Sequence, residues 1–122
     1  MNEVVSKILI VDDNTFYLSV LKTILRNIDA EIFMASSGEE ALKLFEQNEF
    51  ALAILDIEMP EMDGFDLADR IRKYQNRDLL PIIFLTAYMT DDVQMYKGYD
   101  KGAIDYLTKP INKDIFISKV NV

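Results

Sequence analysis

Five polar side chains stand where apolar runs stop. Asp12 and Asp13 follow Ile8-Leu9-Ile10-Val11, and Asp56 closes the run Ala51 to Leu55. Thr86 follows Ile82 to Leu85, and Lys109 comes just after Ile104-Asp105-Tyr106-Leu107. Three carboxylates brought together repel one another, so at least one resists ionisation unless a cation offsets the charge. An all-oxygen donor set favours a hard divalent ion such as Mg²⁺, which keeps several waters and accepts phosphate oxygens. A carboxylate held beside such an ion can attack phosphorus and form an aspartyl phosphate. That transfer is mostly positioning and charge stabilisation, which a metal and a lysine supply. Thr86 can donate a hydrogen bond to a phosphoryl oxygen. The parts suffice for phosphoryl transfer onto Asp56.

Other chemistries are excluded by what the chain lacks. Its 122 residues include no Cys and no His, which removes disulfides, thiolate metal sites, the commonest general base and phosphohistidine. Half of the residues are hydrophobic and 28% charged, enough to bury a core and unlike a disordered tail. The 13 Lys+Arg against 21 Asp+Glu give a net charge of −8, a poor starting point for nucleic-acid binding, which rests on phosphate neutralisation. No apolar run approaches the roughly 18 residues of a membrane span, and Met1-Asn2-Glu3-Val4-Val5 carries no basic leader. The expectation is a cytoplasmic domain with neither membrane nor nucleic-acid contact of its own.

The elements that must position these residues alternate. Lys7 to Val11 reads as a buried strand, followed by a helix capped by Asp13 or Asn14 with Phe16, Val20, Leu21, Ile24, Leu25 and Ile28 as its stripe. Glu31 to Ala35 is a second strand. Ser36 or Ser37 then caps a helix with Ala41, Leu42 and Phe45 inward. Ala51 to Leu55 is apolar throughout, as a strand covered on both faces should be. After Pro60 and Gly64 comes a helix carrying Phe65, Ala68 and Ile71. Pro81 opens the strand Ile82 to Leu85, and a fourth helix starts at Asp91 or Asp92. Ile104 to Leu107 is the fifth strand, and the last helix starts near Asn112. Five βα units in succession argue for a parallel sheet with helices on both faces, the first, third and fourth strands innermost. In such sheets the site lies beyond the carboxyl ends of the strands, where the five polar residues fall.

Four stretches carry a resemblance: Ile8-Leu9-Ile10-Val11-Asp12-Asp13-Asn14, Ala53-Ile54-Leu55-Asp56-Ile57-Glu58-Met59-Pro60-Glu61-Met62-Asp63-Gly64, Pro81 to Ala87, and Gly102 to Pro110. The separations also match: 44 residues from Asp12 to Asp56, 30 on to Thr86 and 23 more to Lys109. The chain resembles the receiver domains of two-component response regulators, the CheY-like superfamily, over essentially its whole length. The resemblance implies a flavodoxin-like (βα)5 doubly wound parallel sheet of strand order 2-1-3-4-5 across residues 1–122. It implies that Asp56 is the phosphoacceptor. Mg²⁺ would be held by Asp12, Asp13, Asp56 and the backbone carbonyl of Glu58, and Lys109 would pair with the phosphoryl group. Thr86 would move to bind it, and Tyr106 is the switch aromatic that turns inward with Thr86. The Lys109-Pro110 bond is cis in that family, and Glu58 and Tyr88 flank the phosphate and set its lifetime. The donor would be a histidine kinase or a phosphotransfer protein. Output would pass through the face of the fourth helix, fifth strand and last helix, often as a homodimer. The domain would be a switch and not an enzyme. Lys113 to Val122 gives the last helix only about ten residues, which reads as a boundary, with any output domain beyond it.

Singly, each residue has an ordinary explanation. Asp12-Asp13-Asn14 is a turn and cap, Asp56 a strand-end turn residue, Lys109 a solvated loop lysine and Tyr106 a half-buried strand aromatic. Jointly, at strand ends and at these separations, the functional reading prevails. A haloacid-dehalogenase-type phosphatase would also use an aspartyl phosphate but needs an Asp-x-Asp pair after its first strand. A flavodoxin would need a Ser/Thr/Gly-rich phosphate loop there, and a phosphate-independent pseudo-receiver usually lacks some of the acidic or lysine residues.

Overall fold

Runs of apolar and β-branched residues build the strands, and each run is closed by a polar residue that turns the chain. The structure, a computed structural model, describes residues 5–75, 80–87 and 104–120. Among them are β1 (Ser6–Val11), β2 (Ala30–Ala35), β3 (Leu52–Asp56), β4 (Ile82–Thr86) and β5 (Ile104–Thr108). Four helices accompany them: α1 (Thr15–Leu25), α2 (Gly38–Gln47), α3 (Gly64–Gln75) and α4 (Lys113–Val120). The strands form one parallel sheet in the order β2-β1-β3-β4-β5. This is the expected flavodoxin-like order, with the three most apolar strands inside. Every position of β3 and β4 is buried, as strands covered on both faces require. The expected fourth helix and Tyr88 lie outside the described residues.

Helix starts follow from side chains that satisfy the otherwise unpaired first-turn N–H groups. Asn14 accepts from the Phe16 N–H at 2.9 Å, so Asn14 rather than Asp13 caps α1. Ser37 accepts from the Glu40 N–H at 3.1 Å and caps α2, while the Glu40 carboxylate accepts from the Ser36 N–H at 3.4 Å. Asp63 accepts from Asp66 N–H at 2.8 Å, and Asn112 from Ile115 N–H at 3.1 Å, at the heads of α3 and α4.

Alternation along the strands divides the core in two. Ile8, Ile10, Ile54, Ile83 and Leu85 pack with Leu18, Leu21 and Leu25 of α1 and Phe116 of α4. Leu9, Val11, Leu55 and Phe84 face Ala41 and Phe45 of α2 and Leu67, Ala68 and Ile71 of α3. One expectation is corrected here. Phe16 is not part of the buried stripe of α1 but 67% exposed, and the buried positions are Leu18, Leu21 and Leu25. At 100° per residue Phe16 points about 160° away from Leu18, onto the opposite side of the helix. Its ring meets Tyr17 edge-on, with centroids 5.8 Å apart.

Candidate functional site

Strand register carries the polar residues to one rim. Val11 of β1 pairs with Leu55 of β3, so Asp12 and Asp56 emerge side by side at the next position. Asp56 pairs with Leu85 of β4, which puts Thr86 one place further along. Thr86 pairs with Thr108 of β5, and Lys109 follows, its N–H donating to the Thr86 carbonyl at 2.8 Å. Asp12, Asp56 and Thr86 are the buried polar residues among those described, at 0%, 2% and 1% exposure. A side chain so buried needs partners.

Lys109 supplies two of them. Its ammonium lies 3.0 Å from Asp12 Oδ2 and 3.2 Å from Asp56 Oδ1. It also sits over the Tyr17 ring, 4.3 Å from the centroid, a cation–π contact that limits where the ammonium can go. The Lys109-Pro110 peptide is cis, as expected. Asp12 is fixed from its other side by the Asn14 N–H, which donates to Oδ1 at 2.9 Å. Asp13 is exposed, yet Asp12, Asp13 and Asp56 each present a carboxylate oxygen within 4.8 Å of the other two. Three carboxylates against one ammonium leave the rim short of positive charge. The oxygen-only donors and one solvent-facing ligand fit a hard divalent cation that keeps part of its water shell.

The electrostatics of Asp56 reflect that shortage. Burial pushes its carboxyl up from 3.8 to about 7, the neighbouring Asp12 charge adds to the rise, Lys109 opposes it, and Glu58 adds a smaller upward push. Lys109 is held above its ordinary value although burial acts against its charge. The hydrogen bond and charge of Asp12 and the charge of Asp56 outweigh that burial.

Thr86 faces a different partner. Its Oγ1 donates to the Glu58 carboxylate, 3.0 Å from each oxygen, and the Ala87 N–H donates to Oε1 at 2.9 Å. Tyr106 is already inward, 7% exposed, its ring stacked on Phe84 at 5.4 Å and 27°. Behind Asp56 the head of α3 comes close. A Cβ on Gly64 would lie 2.5 Å from the Asp56 carbonyl oxygen, so no other residue fits there without a shift.

The sheet thus brings together Asp12, Asp13, Asp56, Thr86 and Lys109 as the sequence predicts, with Glu58 at their margin. Tyr88 is outside the described residues. Sequence reasoning missed Tyr17 beneath Lys109, Gly64 behind Asp56, and the Glu58 side chain on Thr86 and Ala87. Only Gly64 carried a signal, as the glycine that ends the loop after Asp56.

Comparison with known proteins bears on the family and the fold. A family model described as the response regulator receiver domain matches residues 8–121. Transcriptional regulatory protein SrrA of Staphylococcus aureus is 38% identical over 107 residues, which cover 88% of this chain and 43% of SrrA. The chain therefore spans less than half the length of that relative. A CheY-like receiver domain protein from Methanospirillum hungatei superposes with a TM-score of 0.85 at 29% identity, covering 97% of this chain and 92% of that one. Chemotaxis protein CheY4 of Vibrio cholerae gives 0.87 at 24% identity over 97% and 98%, a likeness of fold. Among the described residues no helix is long and apolar enough to cross a membrane.

Proposed function

Because the chain belongs to the response regulator receiver domains of two-component systems, we propose that it is a phosphoacceptor switch in which Asp56 takes a phosphoryl group. The observation that carries the reading is the meeting of three carboxylates within 4.8 Å, with the Lys109 ammonium 3.2 Å from Asp56. The donor is a histidine kinase or a phosphotransfer protein presenting phosphohistidine. An Asp56 carboxylate oxygen forms a bond to phosphorus as the phosphorus–nitrogen bond breaks. The electron pair goes to the donor imidazole, which leaves neutral when its other nitrogen carries a proton. Lys109 stays beside the new phosphoryl oxygens and stabilises their charge. Asp12, Asp13, Asp56 and the Glu58 carbonyl would hold Mg²⁺, which supplies further charge neutralisation at phosphorus.

The added charge then biases an equilibrium between two arrangements of the rim, by no more than its difference in interaction with them. Thr86 donates to the phosphoryl group, and its pairing with Thr108 links it to β5. Output passes through the face made by the fourth predicted helix, β5 and α4, toward an output domain, a partner or a second copy. Residues 1–122 make up the receiver, and Glu58 and Tyr88 set the phosphate lifetime. Tyr88→Ala is expected to lose phosphate faster.

Intact mass after incubation with phosphoramidate tests the reading, with Mg²⁺, with EDTA and on Asp56→Asn. One added phosphoryl group that needs both Mg²⁺ and Asp56 supports it. No adduct, or one indifferent to Asp56, overturns it. Continuous release of phosphate would indicate a hydrolase instead.

A further inference from the structure

The Glu58 carboxylate sits where two donors converge. The Thr86 hydroxyl is 3.0 Å from both of its oxygens, and the Ala87 N–H is 2.9 Å from Oε1. A buried hydroxyl and the next main-chain amide aimed at one anion form a small oxyanion cradle, built on the end of β4. That cradle stands beside Asp56, which pairs with Leu85, the residue before Thr86. Among the described residues Glu58 makes no ion pair, and its side chain is otherwise exposed. A monoanion is thus held by two neutral donors at the edge of water, next to a carboxylate that is to carry a phosphoryl group.

We propose that Glu58 is a built-in occupant of the phosphoryl group's own donors, which must swing out to solvent before Thr86 and Ala87 can bind phosphorylated Asp56. This rests on Asp56 being the phosphoacceptor. A phosphoryl group of about −2 charge offers stronger acceptors than a single carboxylate and repels Glu58 at short range, so the exchange runs in one direction once Asp56 is phosphorylated. Before that event the same contact holds Thr86 in place. The Thr86 hydroxyl and the Ala87 amide are never bare in either state, and Glu58 sets how firmly the phosphoryl group is retained. The role differs from simple charge repulsion because it runs through Thr86.

Beryllofluoride, a phosphoryl stand-in that binds carboxylates, tests this by titration with Mg²⁺ into the parent, Glu58→Gln, Glu58→Ala, Thr86→Ala and the double variant Glu58→Ala/Thr86→Ala. Removing the competing carboxylate is expected to tighten binding about tenfold, the worth of one hydrogen bond to a charged acceptor. With Thr86→Ala already in place, the same change should gain about threefold or less, since only the Ala87 donor is still contested. An equal gain in both backgrounds would assign the effect to charge alone and overturn the proposal, as would no gain at all. An independent readout avoids the buried Thr86 substitution. Without beryllofluoride, the Ala87 amide proton should move upfield in Glu58→Ala relative to the parent, and an unmoved resonance overturns the contact. Failure of the parent itself to bind beryllofluoride through Asp56 would count against the phosphoacceptor reading, while the Ala87 resonance still decides the fate of the Glu58 contact.

Discussion

The Lys109 ammonium stands 3.2 Å from the Asp56 carboxylate, and that contact ties the end of β5 to the end of β3 across the intervening β4. It also leaves Lys109 3.0 Å from Asp12, so one cation serves two buried anions. Replacing Lys109 with Met strands both carboxylates. The expected cost is on the order of 2 kcal/mol above pH 8, with a smaller loss near pH 5, where Asp56 can take a proton. Urea midpoints at the two pH values measure it, and equal losses would sever the link to Asp56.

Asp56 itself gives a pH dependence with a defined sign. Its folded value of about 7 lies above the ordinary 3.8, so the folded state binds the extra proton between those limits. The stability this contributes is fully present below about 4 and lost as pH rises through about 7. In EDTA, Asp56→Asn should match the parent near pH 4 and become increasingly more stable toward pH 8. Paired melting curves across that range test it; a gap that does not change with pH contradicts it.

Mg²⁺ should oppose that loss. Binding to the folded state alone adds about 1.4 kcal/mol at tenfold excess over Kd, a shift of several degrees in the melting midpoint. Asp13→Asn should weaken the effect at little cost to the fold, because Asp13 is exposed. A parent midpoint that millimolar Mg²⁺ leaves unchanged argues against a metal site.

Gly64→Ala puts a methyl group 2.5 Å from the Asp56 carbonyl and 2.9 Å from the Ile57 Cα. Backbone must move to accept it. The expected cost is about 1–3 kcal/mol in stability, together with slower phosphoryl uptake because the shift displaces Asp56. Urea unfolding and the initial rate with phosphoramidate measure the two effects separately.

Phe16 and Leu21 lie on opposite terms within one helix. Leu21→Ala should cost about 2–5 kcal/mol because Leu21 is fully buried, whereas Phe16→Ser should stay within about 0.5 kcal/mol. Comparable losses would return Phe16 to the core.

Much of this was legible in the sequence. A short, continuous apolar run closed by Asp56 and alternating with helical stripes reads as an inner strand, and the candidate site residues are those that end such runs. Phe16 falls outside the core because apolar residues spaced by threes and fours continue round α1 to its far side, and only the position of the sheet selects Leu18, Leu21 and Leu25. Tyr17 beneath Lys109 depends on how α1 lies over the rim, which no local pattern encodes. The Glu58 contact depends on which way a loop side chain turns, so the resemblance implies a metal-ligating carbonyl and a part in the phosphate lifetime for that residue, and nothing of its carboxylate on Thr86 and Ala87.

The partition of the core has a consequence for how such a domain can vary. Phe84 and Tyr106, the rings that continue inward from Thr86, belong to the packing shared with α2 and α3, whereas Phe116 of α4 belongs with α1. Substitutions around Leu21 and Phe116 therefore act on a packing layer that holds neither Phe84 nor Tyr106. Those around Phe84 act on the layer that holds both rings. A stabilising change that leaves the stacking of Phe84 on Tyr106 untouched is therefore to be sought first in the layer of Leu21 and Phe116.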